Sequence, residues 1–379
     1  VSYSGKAGRE PVFRAREGRQ TIQRLVAPLL EGQELAGFRA LAAQVDALAE
    51  EVEEPLPPPE AEVQDPSRRA LLTLAGRLLR DQASPEPGRP GPRLHTAIRY
   101  GVSQALLQAM ALTRGVTMAE VIAEEWGLPR PTASVPIHAQ SGSERYYNAE
   151  KMMVRRVASL PHGLVDDLPG QLGADGSEMT RYIRWLSKRI GELGGKEYRP
   201  TIHLDLHGAL GRICEAKPGP MLGQLYAWEL AAQPYALRIE SPVLLESRTA
   251  QIEALKTLRE YVRLRHMQVQ LVADEWANTF EDIQAFVEAE AADMIQIKMP
   301  DLGGIHHSVE AVLACQAGGV GAFLGGSYAE TDLAARASVH VALATRPELI
   351  MAKPGLGVDE AVSLTQNETA RTLALIHQE

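Results

Sequence analysis

The sequence predicts an α/β fold, a (β/α)8 TIM barrel preceded by a mostly helical N-terminal capping domain. Three observations predict it. From about Thr132 onward, eight short β-rich runs alternate with amphipathic helical patterns. Eight such units in ~240 residues match the usual size of a (β/α)8 barrel. No GxGxxG follows the first strand, which sets aside the competing doubly wound sheet. The boundary then falls between a capping domain at 1–130 and a barrel at 131–379.

Apolar spacing in the first third predicts helices over 20–30, 35–52, 69–80, 94–113 and 118–126, and no strand. Two segments there are proline-rich: 51–67 is acidic as well, and 82–93 is rich in glycine. Proline at that density forbids helix and sheet ladders, so both read as exposed loops. The barrel strands are expected in SVPIHAQ (134–140), ASLPHGL (158–164), TIHLDLHG (201–208), YALRIE (235–240), VQLVAD (269–274), MIQIK (294–298), GAFLGG (321–326) and LIMAKP (349–354). Helical patterns at 178–193, 221–233, 249–264, 279–290 and 308–316 separate the later strands.

Apolar residues make up 45% of the 379 and charged residues 23%, so wholesale disorder is excluded. Lys and Arg number 39 against 48 Asp and Glu, a net charge of −9. An acidic chain without a basic stripe is a poor nucleic-acid binder. Two cysteines, Cys214 and Cys315, exclude a disulfide framework and point to a reducing cytosol. No apolar stretch approaches the ~20 residues that span a bilayer, and Val1-Ser-Tyr-Ser-Gly has no signal-peptide pattern. A cytoplasmic protein without a membrane partner is the expectation.

Four strands end in an ionisable residue: Asp205, Glu240, Asp274 and Lys298, each about one βα unit after the last. Side chains alternate along a strand, so His203, Asp205 and His207 share one face, as do Arg238 with Glu240 and Gln296 with Lys298. In a barrel that face points inward, and the C-terminal strand ends form the catalytic mouth. Three converging carboxylates need a strong positive partner. Hard oxygen ligands select Mg²⁺ or Mn²⁺ over zinc. A lysine beside such a cation is pushed toward its neutral form, which can act as a general base.

Other motifs carry less. His203-x-Asp205-x-His207 lacks the further histidines of a metal-dependent hydrolase, so His203 and His207 read as interior or supporting residues. His306-His307 opens a helix after Leu302-Gly303-Gly304, in a packed or solvated role. The glycine-rich 318–326 has no P-loop pattern. Cys214 and Cys315 have no paired motif and read as inert.

The order Asp, Glu, Asp, Lys on strands three to six resembles the enolase superfamily, whose sites pair a Lys or His base with Mg²⁺. VSYSGKAGREPVF, RLHTAIRYGVSQA, VPIHAQSGSERY, LPHGL, LRIESP, VADEWANTFEDI, IQIKMPDLGG and MAKPGLGVDE resemble the methylaspartate ammonia-lyase family over nearly the whole chain. The resemblance implies elimination of ammonia from threo-3-methylaspartate, or a close amino dicarboxylate, to give mesaconate through an Mg-stabilised enolate. It implies metal ligands at Asp205, Glu240 and Asp274, a base at Lys298 that removes the C3 proton, and His162 on the opposite substrate face. It implies substrate contacts at Gln140 and Gln296, a homodimer, and a monovalent cation such as K⁺.

Three departures from the family pattern touch four positions. VQYSG reads VSYSG, placing Ser2 at a glutamine position. Gly-Gly-Thr-Cys reads Gly325-Gly326-Ser327-Tyr328, and a pocket leucine is Met351. Ser2, Ser327, Tyr328 and Met351 are thus the substrate-contacting positions at which specificity is expected to differ. An alternative reading from Ser2 and Tyr328 is another superfamily reaction on a carboxylate, a dehydration or racemisation. The family's N-terminal antiparallel sheet precedes the YSG string, within which Val1 lies, so an α+β cap lacking its first strands is expected. A catalytically silent, lid-deficient protein for metabolite binding or assembly is the alternative that follows.

Overall fold

The computed structural model describes residues 13–35, 37–49, 93–142, 144–327, 330–353 and 355–378. Ser2, Tyr328, the 69–80 helix, the 51–67 loop and nearly all of the 82–93 loop lie outside the described residues. Eight parallel strands close into a barrel in chain order. They are β1 (Ile137–His138), β2 (Ser159–His162), β3 (Thr201–Asp205), β4 (Leu237–Glu240), β5 (Gln270–Ala273), β6 (Met294–Lys298), β7 (Gly321–Gly325) and β8 (Leu349–Met351). Each expected strand is present, most of them shorter than the run that predicts it.

The two faces of each strand are separated by chemistry. Ile202, Leu204, Ile239, Leu271, Ile295, Ile297, Leu324 and Ile350 point outward and are buried beneath the helices. Inward residues from alternate strands fill the barrel in layers. His138, His203, Val272 and Phe323 form one such layer, with ring centroids 4.6 Å apart for His138–His203 and 5.0 Å for His138–Phe323. Val272, Met294, Phe323, Leu349 and Met351 make an apolar cluster in this interior. The barrel is therefore solid, and chemistry is confined to its mouth.

The helices follow from caps and stripes. In Ser177–Gly194, buried Met179, Tyr182, Ile183, Leu186 and Ile190 recur at the 3.6-residue period and face the barrel. Thr117 with Glu120, and Thr279 with Asp282, form capping boxes that start Met118–Glu125 and Phe280–Glu288. Gly115, at φ 68°, closes Thr96–Arg114 in the left-handed conformation glycine adopts freely. Among the described residues, no single helix is long and apolar enough to cross a membrane.

The N-terminal helices pack on the barrel through a buried ionic joint. Asp46, at the end of Phe38–Asp46, accepts from Arg99 Nη1 at 2.7 Å and lies 3.0 Å from His307 Nε2. His306 and His307 sit in the helix Ile305–Ala317, and Ile305 N–H donates to Ser103 Oγ at 3.0 Å. Burial would raise the Asp46 carboxyl, but His307 and Arg99 hold it well below the usual carboxylate range. A depressed carboxylate stabilises the fold above its unfolded pKa of about 4 and loses that contribution as pH falls below it. Asp46→Asn is expected to cost about 3 kcal/mol at neutral pH by leaving Arg99 without its counter-charge. It is also expected to flatten the stability profile below about pH 4. Urea titrations of both proteins across that range measure the two effects.

Candidate active site

The strand ends gather the charged residues. Asp205 and Glu240 close β3 and β4 and are partners in register, Asp274 follows β5 directly, and Lys298 closes β6. One oxygen from each of Asp205, Glu240 and Asp274 lies within 4.8 Å of the others. The three acids are 4%, 0% and 4% exposed, too little for water to screen their repulsion. Lys298 Nζ donates to Asp274 Oδ2 at 2.6 Å.

His162 reaches the same place by a different route. Strand alternation would turn it outward, because its register partner is outward-facing Leu204. Its φ of 65° reverses that direction. The imidazole then stands 3.5 Å from Asp205 Oδ2 through Nε2, and 3.8 Å from Glu240 Oε2 through Nδ1. His207, Ser241 and Trp276, just past β3, β4 and β5, also have positive φ, at 44°, 48° and 67°. Non-glycine residues in this region cost about 1–3 kcal/mol each and cluster at functional sites.

A ring of supporting groups fixes the acids. Gln296 Nε2 donates to Glu240 Oε1 at 2.6 Å, and His203 Nε2 lies 2.7 Å from Glu240 Oε2. The His207 backbone N–H donates to Asp205 Oδ1 at 3.0 Å. Half-buried Gln140 lies just beyond β1. Ser327, just after β7, is buried, and its N–H donates to Glu330 Oε1 at 2.8 Å. Met351, at the end of β8, packs in the apolar cluster that also contains Val272, the register partner of Glu240.

Sequence reasoning missed Glu275. It is 1% exposed, lies 2.7 Å from His207 Nδ1 through Oε1, and accepts from Ser241 Oγ. The only local signal is a second acid next to Asp274, and adjacency does not say which of two acids turns inward.

The electrostatics separate the groups. Burial, with the charges of Glu275 and Asp274, pushes Asp205 up to about 8. Burial likewise raises Asp274 to about 7, where Lys298 only partly opposes it. Glu240 is raised well above its ordinary value by burial and its two acidic neighbours. Burial works against Lys298 as a cation, but Asp274, Glu275 and Asp301 outweigh it and hold the ammonium well above the usual lysine range. Burial and the Lys298 charge depress His162 to about 3, so its imidazole is neutral at pH 7.

Three hard oxygen donors that repel one another, with Asp274 Oδ1 lacking a hydrogen-bond partner, suit a divalent cation. Together with the closed barrel, this arrangement defines an enzyme of the enolase superfamily. The chain belongs to the methylaspartate ammonia-lyase family: the models of its N-terminus and C-terminus match residues 1–127 and 131–378. The chain is 43% identical to methylaspartate ammonia-lyase 2 of Carboxydothermus hydrogenoformans, over 99% of this chain and 81% of that protein. It resembles the crystal structure of Clostridium tetanomorphum β-methylaspartase in its Mg complex, with TM-score 0.84, 37% identity and coverage of 99% and 82%. It also resembles Citrobacter amalonaticus methylaspartate ammonia lyase containing (2S,3S)-3-methylaspartic acid, with TM-score 0.85, 37% identity and coverage of 100% and 82%. The chain is thus an ammonia-lyase acting on a small molecule, with a site for a divalent metal.

Proposed function

We propose that this enzyme eliminates ammonia from threo-3-methylaspartate to give mesaconate, with Asp205, Glu240 and Asp274 holding Mg²⁺ or Mn²⁺. The observation that carries the proposal is the lysine on β6 facing three buried acids on β3 to β5. A bound divalent cation supplies positive charge where the substrate carboxylate gains negative charge as its neighbouring C–H bond breaks. Lys298 is the base at C3. With Asp274 engaged as a ligand, Lys298 would lose its nearest counter-charge, and burial together with the positive charge of a cation would favour the amine that can accept a proton. His162, a neutral imidazole on β2, works on the face opposite Lys298. Gln140, Gln296 and Ser327 orient the carboxylates, while Ser2, Tyr328 and Met351 shape the pocket around the substituent.

Family membership supports three further inferences: residues 1–130 cap a catalytic domain at 131–379, the enzyme is a homodimer, and K⁺ assists. The unpaired cysteines suit the cytoplasm.

Ultraviolet absorbance of the conjugated diacid, assayed with ammonia release, tests the reaction. Product that depends on Mg²⁺ and disappears with a chelator is expected. Turnover of the corresponding hydroxy diacid alone would replace this reading with a dehydratase. His162→Asn, which tolerates the left-handed backbone, is expected to lower kcat about 10²- to 10⁴-fold. Mg²⁺ affinity, measured by calorimetric titration, should be retained.

A further inference from the structure

Outside the reaction described above, the mouth holds a second buried charge pair. Lys353, just past β8, and Glu330, in the connection after β7, lie 3.1 Å apart, and their side chains are 1% and 2% exposed. Glu330 collects donors from three parts of the chain. Ser327 N–H reaches Oε1 at 2.8 Å, Tyr100 O–H reaches Oε2 at 3.0 Å, and the Lys353 ammonium faces the same Oε2. Lys353 Nζ also donates to the Gly325 carbonyl at 3.1 Å. Between them lies Gly326, where a Cβ would collide with Glu330 Oε1 and sit 2.7 Å from Lys353 Nζ. The ion pair therefore occupies the space a side chain at Gly326 would need, and the local sequence is matched to it.

Stability is a weak explanation for such a pair, since replacing a buried ion pair with apolar groups of similar volume is often neutral. What apolar groups cannot supply is directed bonding to the backbone. Here the bonds converge on residues 325–327, the segment that presents Ser327. One of them starts from Tyr100, in the helix Thr96–Arg114, so the helical region grips the same segment.

We propose that Glu330, Lys353 and Tyr100 are positioning residues that set the segment after β7 for binding a substrate carboxylate at Ser327. The inference deepens the proposed reaction and rests on Ser327 touching the substrate.

The test is the doubly apolar variant Lys353→Met/Glu330→Met, which removes both charges together, beside Tyr100→Phe, which removes one hydroxyl. In the double variant, KM for threo-3-methylaspartate is expected to rise at least about tenfold, with kcat within about threefold of the unsubstituted enzyme. Tyr100→Phe should raise KM about threefold, in the same direction. Adding Ser327→Ala to the double variant should raise KM no further, because both act through one contact. A substrate-independent readout accompanies these: amide hydrogen exchange at Ser327 should quicken at least about tenfold in the double variant. Unchanged KM and exchange, or a fall in kcat at unchanged KM, would overturn the proposal. If the unsubstituted enzyme releases no ammonia, the reaction assignment fails, and the exchange rates still decide the positioning role.

Discussion

Lys298→Ala is expected to cut ammonia release about 10³- to 10⁴-fold while leaving the divalent cation bound. The size follows from loss of the base that takes the C3 proton, a contribution typically worth 10²- to 10⁴-fold. Exchange of the C3 hydrogen with solvent deuterium should fall in parallel, because the same step controls both. The variant carries a second signature. Lys298 neutralises Asp274 at 2.6 Å, so its removal leaves the acid cluster without its nearest positive charge. The variant should therefore be stabilised by added Mg²⁺ more than the unsubstituted enzyme, a larger rise in Tm at equal metal concentration. Retained turnover would remove Lys298 from the mechanism. Lost turnover with lost metal binding would make it structural.

Asp205→Asn is expected to abolish activity, by at least about 10³-fold, and to stabilise the metal-free protein. The two effects share a cause. Asp205 has a folded pKa raised to about 8 by burial and neighbouring carboxylates, against about 4 unfolded. The folded state thus binds the extra proton, and stability is fully present below about pH 4 and lost as pH rises through about 8. Metal-free enzyme should lose Tm between those values, and the asparagine variant should lose less. The substituted amide still accepts from the His207 N–H and offers an N–H to the neutral His162 ring, so no bond is sacrificed. Thermal unfolding from pH 5 to 9, with and without Mg²⁺, reads both signs. A metal-free variant less stable than the parent at pH 9 would contradict the repulsion argument.

These expectations rest on a site whose frame is legible in the sequence. Alternation of Ile295 and Ile297 with Gln296 and Lys298 marks β6 and puts Gln296 beside Lys298 on the inner face. The run SVPIHAQ is less informative: only Ile137–His138 pairs as strand. Pro136 has no N–H to donate to the ladder and contributes only its carbonyl, to the Ile350 N–H. The acids at β3, β4 and β5 are legible because period-two spacing fixes their face and strand ends fix their height.

What escapes is whatever depends on a backbone exception or a distant partner. Alternation assigns His162 to the wrong face, and only a left-handed φ corrects it. Glu275 is identified by His207 and Ser241, from two other strand ends. Glu330 joins Tyr100 across 230 positions of sequence, a pairing no local pattern announces.

The left-handed residues that end β2 and follow β3, β4 and β5 carry a consequence for how this mouth can change over evolutionary time. A branched Cβ is poorly tolerated at positive φ, so His162, His207, Ser241 and Trp276 occupy places closed to valine, isoleucine and threonine. Drift there is channelled toward glycine, asparagine and aspartate, which tolerate the geometry. A library built at these four codons should yield survivors sorted by the shape of the β-carbon before the polarity of the side chain. New specificities would then arise more readily from the strands that lack such kinks.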